Sequence, residues 1–456
     1  MLKVINPTSG RLLHEYPALD PAAMDARIST ATEAFAHWRR HTIAQRADVL
    51  NRVATLMREQ ETDLARLMTL EMGKPVKEAR GEVQKAAWCA EHYAAHAEDY
   101  LASLTLTSDA SHSYVQHLPL GPILGILPWN APFWLAFRFC APALMAGNTC
   151  LLKHDPHVPA CADAIADLFL QAKAPEGIVQ NLPLTTSSVE NAIRHPQVRA
   201  VSFTGSSAAG SRVAALAAAE LKPAVLELGG SDPAIVLKDA NLEQAADAIT
   251  LSRIINAGQS CIAAKRIIVE APVHDRFVEL LKTRLEQLRL GDPADPATDI
   301  GPIARADLRD ELARQVEETL AAGAHCLLGG QIPEGDGFFY PVTLLTEVRN
   351  DMTACREETF GPVAVVLKAD SAEHALQLAN DSEYGLAASI WTERQRGERM
   401  ARDIEAGQVV VNGLVKTDPR LPSGGIKRSG YGRELGPHGI LEFVNVQQVW
   451  VGPKQE

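Results

Sequence analysis

From Gly121 onward, short apolar runs of strand length alternate with longer stretches of helical character, and this alternation most narrows what the chain can fold into. Residues 123–127, 150–153, 198–204 and 225–228 read as strands, with helices over 132–146, 158–172 and 206–220 between them. A second such region follows, with strands at 234–237, 266–269, 363–367, 388–391 and 409–412. Its helices fall at 242–256, 273–288, 304–322, 371–380 and 393–405. Strands that alternate with helices of this length favour an α/β fold with a largely parallel sheet. At 456 residues the chain exceeds one ordinary hydrophobic core, so two or three domains are expected.

The flanks read differently. Asn6-Pro7-Thr8-Ser9-Gly10 is a turn between two short strand-like runs, and 21–101 is helical with a break at Gly73-Lys74-Pro75. Residues 103–118 turn polar and rich in β-formers, which predicts a projecting hairpin. The last run, 443–451, has valines spaced for an edge strand that meets another subunit. Residues 423–439 form the strongly glycine-rich loop.

Composition removes several classes of function. The net charge of -12, with no basic run, argues against nucleic acid as a partner. Seven cysteines without a repeating spacing do not form a disulfide framework, and no C-x-x-C pair or Cys/His cluster suggests a metal. Residues 121–152 are strongly apolar but are interrupted by Pro122, Pro128, Asn130, Pro132, Arg138 and Pro142, so they read as buried core and not a membrane span. No signal-peptide core stands near Met1, and a cytoplasmic protein is expected.

Four stretches carry candidate chemistry. Cys261 follows Gly258, Gln259 and Ser260, small or polar neighbours that let a carbonyl reach its sulfur; a buried structural cysteine is the competing reading. Glu227 ends an apolar strand, where desolvation raises a carboxyl pKa toward the range of a general base. It also suits a strand-end glutamate in solvent or paired with Lys222. Asn130, between prolines after a buried strand, can donate an amide to a developing oxyanion, worth about 3 kcal/mol in a dry site; it also suits a simple turn. Thr204-Gly205-Ser206, with Gly210 further on, leads a strand into a helix N-terminus that suits a phosphate, although tight helix–sheet packing explains the same glycines.

Taken together, Pro-Trp-Asn at 128–130, Phe-Thr-Gly-Ser at 203–206, Leu-Glu-Leu-Gly-Gly at 226–230 and Gly-Gln-Ser-Cys at 258–261 resemble the aldehyde dehydrogenase superfamily. So do Glu-Glu-Thr-Phe-Gly-Pro at 357–362 and Gly-Gly-Ile-Lys-Arg-Ser-Gly-Tyr-Gly-Arg-Glu at 424–434, and the six motifs run in order over nearly the whole chain. The resemblance implies an aldehyde dehydrogenase-like α/β fold: a Rossmann-type cofactor domain over 1–102 and 119–228, a catalytic domain over 229–430, and an oligomerisation element from 103–118 and 440–456. It implies Cys261, as thiolate, for nucleophile, Asn130 with the Cys261 backbone N–H for the oxyanion, and Glu227 to activate the hydrolytic water. NAD or NADP is then held by Trp129, Lys153, Gly205, Ser206, Gly210, Leu228, Glu358 and Phe360, with no metal. A homodimer or homotetramer acting on a small aldehyde is expected.

Arg138 stands eight residues after Asn130 on an apolar helix, where a charge needs a reason. The resemblance to the shorter bacterial succinate-semialdehyde dehydrogenases implies that Arg138 and Thr417 hold the substrate's distal carboxylate; a structural ion pair is the competing reading. A second arginine found in some relatives is Ile255 here, leaving room for help from Lys416 or Arg420 and for glutarate semialdehyde or another aldehyde. The glutamate that often marks NAD preference is replaced by Pro156, with Asp155 one place off, so NADP is open. Ala263 takes the place of a second cysteine, so no local disulfide switch is expected. Glu227 argues against a CoA-acylating enzyme, the lack of a motif histidine against a cysteine hydrolase, and the retained trio of Cys261, Glu227 and Asn130 against a silent relative.

Overall fold

The computed structural model describes residues 1–452; residues 453–456 of the expected C-terminal oligomerisation element lie outside the described residues. Four helices, Pro21–Trp38, Ile43–Glu59, Glu61–Met72 and Val76–Tyr100, open the chain after a two-stranded hairpin. The break at Gly73 is there, and two more divide the helical region. One of them has a readable cause: Thr42 accepts from the Gln45 N–H while the Gln45 side chain accepts from the Thr42 N–H, a reciprocal cap that restarts the helix.

A six-stranded sheet follows, in the order Gly430–Tyr431, Ala224–Glu227, Ala200–Thr204, Pro122–Leu127, Thr149–His154, Val179–Asn181. All neighbours are parallel except Gly430–Tyr431, which pairs antiparallel with Leu226 and Glu227. The glycine-rich loop thus returns from the second half of the chain to lie against the first sheet. The helix Pro132–Met145 is buried at all of its residues, packed beside the helix Val76–Tyr100. This burial explains why its sequence is apolar around the whole circumference.

The second sheet has seven strands, in the order His325–Leu328, Thr343–Thr346, Val363–Ala369, Arg266–Glu270, Pro233–Val236, Ala387–Trp391, Gln408–Val411. Only the edge strand His325–Leu328 runs antiparallel. A third, three-stranded sheet joins Leu104–Thr105 and His112–Pro119 to the C-terminal strand Val444–Val451. Among the described residues no helix is long and apolar enough to cross a membrane.

Two expected helices are too long. The helix expected over 393–405 ends at Met400, and the one expected over 242–256 ends at Ile254. Beyond Ile254 the backbone enters the left-handed region at Asn256, Ala257 and Gly258, with φ of 55°, 52° and 74°. That turn is what presents Cys261.

Candidate active site

Non-glycine residues in the left-handed region cost roughly 1–3 kcal/mol each and persist only where surrounding contacts hold them. Here the contacts are dense. The Asn256 N–H donates to Glu78 at 2.6 Å, Arg253 donates to the Gly258 carbonyl at 2.7 Å, and Gln259 donates to the Asn256 carbonyl at 3.0 Å. A side chain at Gly258 would place its Cβ 2.3 Å from the Gly361 carbonyl oxygen, so only glycine fits. Beyond the turn, Lys265 donates to the carbonyls of Ser260 at 3.0 Å and Cys261 at 2.6 Å.

Asn130 meets this loop from the other half of the molecule. Its side-chain amide donates to the Gln259 carbonyl at 3.1 Å, and its own carbonyl accepts from Asn256 at 2.9 Å and from Lys74 at 2.7 Å. Lys74 also pairs with Glu82, whose other oxygen accepts from the N–H groups of Phe133 at 2.9 Å and Trp134 at 3.1 Å. The first N–H groups of a helix lack partners within it, so a carboxylate at that end satisfies both donors and dipole. Lys74 and Glu82 were not legible as site residues: one lies in a helix break and the other on a long helix face, far from Asn130 in sequence.

A cavity of about 250 Å³ opens beside Cys261, lined also by Asn130, Trp134, Arg138, Lys85 and Thr417 among others. Burial pushes the Cys261 thiol up to about 12, although Arg138 and Lys265 pull it down. The two cations beside it favour the thiolate, while burial favours the thiol.

Arg138 lines the cavity, yet it also touches acids. Its Nε contacts Glu434 and its Nη2 lies 3.8 Å from Glu227. Both the carboxylate-binding and the ion-pair readings of Arg138 thus have a physical basis. Glu434, in the Gly-Arg-Glu end of the glycine-rich loop, was not singled out from sequence. Glu227 is buried against Arg138 and does not itself line the cavity. Burial raises its pKa above the carboxylate range, Arg138 opposes that and Glu434 adds to it. Two carboxylates sharing one guanidinium in a dry site leave a surplus charge, and protonation of Glu227 removes it. The alternative pairing of Glu227 with Lys222 is not present; Lys222 donates to the carbonyls of Ile193 and His195.

In the first sheet, the helix after Pro122–Leu127 leads to the strand on one side, while Ala200–Thr204 lies on the other. Ligands of open α/β sheets bind outside the carboxyl ends of strands where the order reverses in this way. Trp129, Asn130, Gly205 and Ser206 stand at those two strand ends, and Lys153 near the end of the next strand. Ser206 is exposed and caps the helix Ser207–Ala219 by accepting from Ala209. Lys153 is buried, with no acid paired to it among the described residues, and its pKa is lowered by that burial. An exposed helix N-terminus and an unpaired buried cation at a reversal point fit a dinucleotide's anionic groups.

Three of the expected cofactor residues also hold the fold together. The Gly205 N–H donates to the Glu227 carbonyl at 3.0 Å, so it ties two strands together and is not free for phosphate. A Cβ at Gly210 would lie 2.4 Å from Leu228, so Gly210 and Leu228 form the close helix–sheet packing that was the competing reading. The Phe360 ring stands edge-on to Trp129 at 5.8 Å, and Glu358 accepts from the Gly230 N–H at 3.1 Å and lies 3.4 Å from Lys265. Asp155 is turned to His157, accepting from its backbone N–H at 3.0 Å and meeting its ring at 2.7 Å. Arg420 pairs with Asp418 through two nitrogens and does not line the cavity, so it gives the substrate no help; Lys416 is exposed at the cavity's edge.

Comparison with known proteins adds a family. The model of the aldehyde dehydrogenase family matches residues 1–449. A protein named probable succinate-semialdehyde dehydrogenase [NADP(+)] from Synechocystis sp. is 47% identical, over 99% of each chain. A succinate-semialdehyde dehydrogenase [NADP(+)] from Mycobacterium avium is 44% identical, over 99% of this chain and 97% of that one. The crystal structure of succinic semialdehyde dehydrogenase from Streptococcus pyogenes in complex with NADP+ superposes with a TM-score of 0.97 at 34% identity, covering 99% of this chain and all of that one.

Proposed function

The chain belongs to the aldehyde dehydrogenase family, and from that premise we propose that it oxidises succinate semialdehyde to succinate with NADP, NAD being the poorer cofactor. The observation that carries the substrate class is the cavity beside Cys261, whose partly apolar wall holds the buried cation Arg138 and the Thr417 hydroxyl. A small aldehyde with a carboxylate at its far end satisfies both. NADP follows from the named relatives and from Asp155, which is engaged with His157. No acid stands at Pro156 to repel a 2′-phosphate beside Lys153.

The Cys261 sulfur adds to the aldehyde carbon, and its proton ends on the former carbonyl oxygen, giving a thiohemiacetal. Asn130 and the Cys261 N–H stabilise negative charge on that oxygen. When bound, NADP supplies the oxidant by accepting a hydride. As the carbonyl re-forms, the hydroxyl proton passes to solvent, and the product on Cys261 is a thioester. Glu227, which must be ionised for this step, takes a proton from water as the water attacks the acyl carbon. The carbon–sulfur bond breaks, the acid leaves and the thiol regains its proton. Ser206 and the N-terminus of its helix, with Lys153, hold the dinucleotide's anionic groups; Glu358 and Phe360 position its reacting end.

The molecule acts as a homo-oligomer. The edge strand Val444–Val451 exposes Val446, Trp450 and Val451, an apolar strip with unpaired backbone groups of the kind a second copy covers.

The test is reduction of NADP and of NAD with succinate semialdehyde, glutarate semialdehyde and butanal, in wild type and Arg138→Ala. Preference for a carboxylated aldehyde with NADP, weakened about tenfold or more in Arg138→Ala, is the expected result. Equal use of butanal in both proteins would make Arg138 structural and the enzyme a general aldehyde dehydrogenase.

A further inference from the structure

Arg138 is shared between Glu434 and Glu227, so part of its charge is already spent within the protein. The same cavity holds another cation that is not. Lys85, half-buried on the helix Val76–Tyr100, lines the cavity and donates from Nζ to the Thr417 hydroxyl at 2.7 Å. Its ammonium stands 4.2 Å from the centre of the Trp134 ring. No carboxylate is paired with it among the described residues. The nearby acids are engaged elsewhere: Glu82 with Lys74 and the helix start at Phe133 and Trp134, Asp418 with Arg420. A cation held in place by a hydroxyl and an aromatic face, yet left without a counter-charge, is a site arranged for an anion from outside.

We propose that Lys85 determines substrate specificity: its ammonium, positioned by Thr417 and Trp134, binds the distal carboxylate of the aldehyde together with Arg138. The proposal rests on the carboxylated-aldehyde reading of the cavity and assigns that role to a residue that nothing in the sequence motifs marks. Thr417 then has two tasks. Its oxygen accepts from Lys85, and its own O–H is free to donate to the carboxylate. The electrostatics agree with the geometry. Burial, with Arg138 beside it, draws the Lys85 ammonium down to about 8, against the pull of Glu82, Cys89 and Asp418. A bound carboxylate restores a partner and favours the charged form. In the free enzyme, raising the pH through that value removes the charge, so the carboxylated substrate binds more weakly in alkaline solution.

The experiment compares wild type with Lys85→Met, which keeps the stem against Trp134, and Lys85→Arg, which keeps the charge. The ratio of kcat/KM for succinate semialdehyde to that for butanal is measured across pH with NADP. The expected result is a ratio at least about tenfold lower in Lys85→Met, carried mainly by KM for the semialdehyde, with much of it restored by Lys85→Arg. The alkaline rise in that KM, present in wild type, is smaller in Lys85→Met, where only Glu227 beside Arg138 still titrates. An unchanged ratio in Lys85→Met, or an equal loss with both aldehydes, overturns the proposal. Wild type is assayed first: no preference for the carboxylated aldehyde there refutes the substrate reading itself, whereas a preference that survives in Lys85→Met refutes only the role of Lys85. A measurement that leaves Lys85 in place guards against a variant that does not fold. Glu227→Gln removes the other group that titrates beside Arg138; in that protein, competitive inhibition by succinate weakens about tenfold from about pH 7 to about pH 9 if Lys85 binds the carboxylate, and stays constant if it does not.

Discussion

In the proposed reaction Glu227 carries the pH dependence. Its neighbours and its burial raise its pKa, so the protonated form is favoured at low pH and the ionised, base-competent form appears as pH rises through that raised value. The kcat of the wild type therefore climbs from acid toward alkaline pH. Glu227→Gln removes the base and lowers kcat by about 10²–10⁴, with the climb flattened. Steady-state rates across pH in the two proteins check this; a parallel climb in both would assign it to another group. At this scale Cys261, Glu227 and Asn130 could be singled out because they stand in compact motifs, and the structure brings Cys261 and Asn130 to one cavity. The sequence was mute for Lys85, which sits on a long helix like any solvent-facing lysine, and for Glu434, whose burial beside Arg138 depends on a loop that returns to the first sheet.

The elements that position the site are held by buried polar contacts as much as by apolar packing. Glu82 ties the start of the helix Pro132–Met145 to Lys74, and Lys74 to the Asn130 carbonyl. Both side chains are under 10% exposed, so Glu82→Gln leaves Lys74 as a buried charge without its partner. Breaking a buried pair costs about 3–5 kcal/mol, and the urea midpoint should fall accordingly. A loss below about 1 kcal/mol would mean that the pair adds little to this corner of the fold. Strand and helix order was largely legible, because apolar runs of strand length alternate cleanly with helical stretches. The end of the helix Leu242–Ile254 was not. Asn256 and Ala257 turn left-handed because Glu78, Arg253 and Gln259 hold them there, and an alanine gives no local signal of such a turn. The short strand Gly430–Tyr431 was hidden for a similar reason, since its partner lies about two hundred residues away.

On the scale of the whole molecule, two α/β units meet at the site, one bringing Asn130, Arg138 and Glu227 and the other Cys261. The three-stranded sheet stands apart from both, and its exposed apolar edge gives a separate prediction. Replacing Val446 with Lys and Trp450 with Glu should lower the mass found by sedimentation equilibrium to that of a smaller assembly; an unchanged mass would place the subunit contact elsewhere. The central claim is a covalent route that crosses the junction, in which Cys261 is acylated and Glu227 releases the acyl group. The most direct measurement is the intact-protein mass of Glu227→Gln after mixing with succinate semialdehyde and NADP, with Cys261→Ala in parallel. A succinyl thioester on Cys261, formed with about one equivalent of NADPH and absent in Cys261→Ala, is the predicted result. Continued turnover in Cys261→Ala at the wild-type rate, with no acyl adduct on Glu227→Gln, would contradict it.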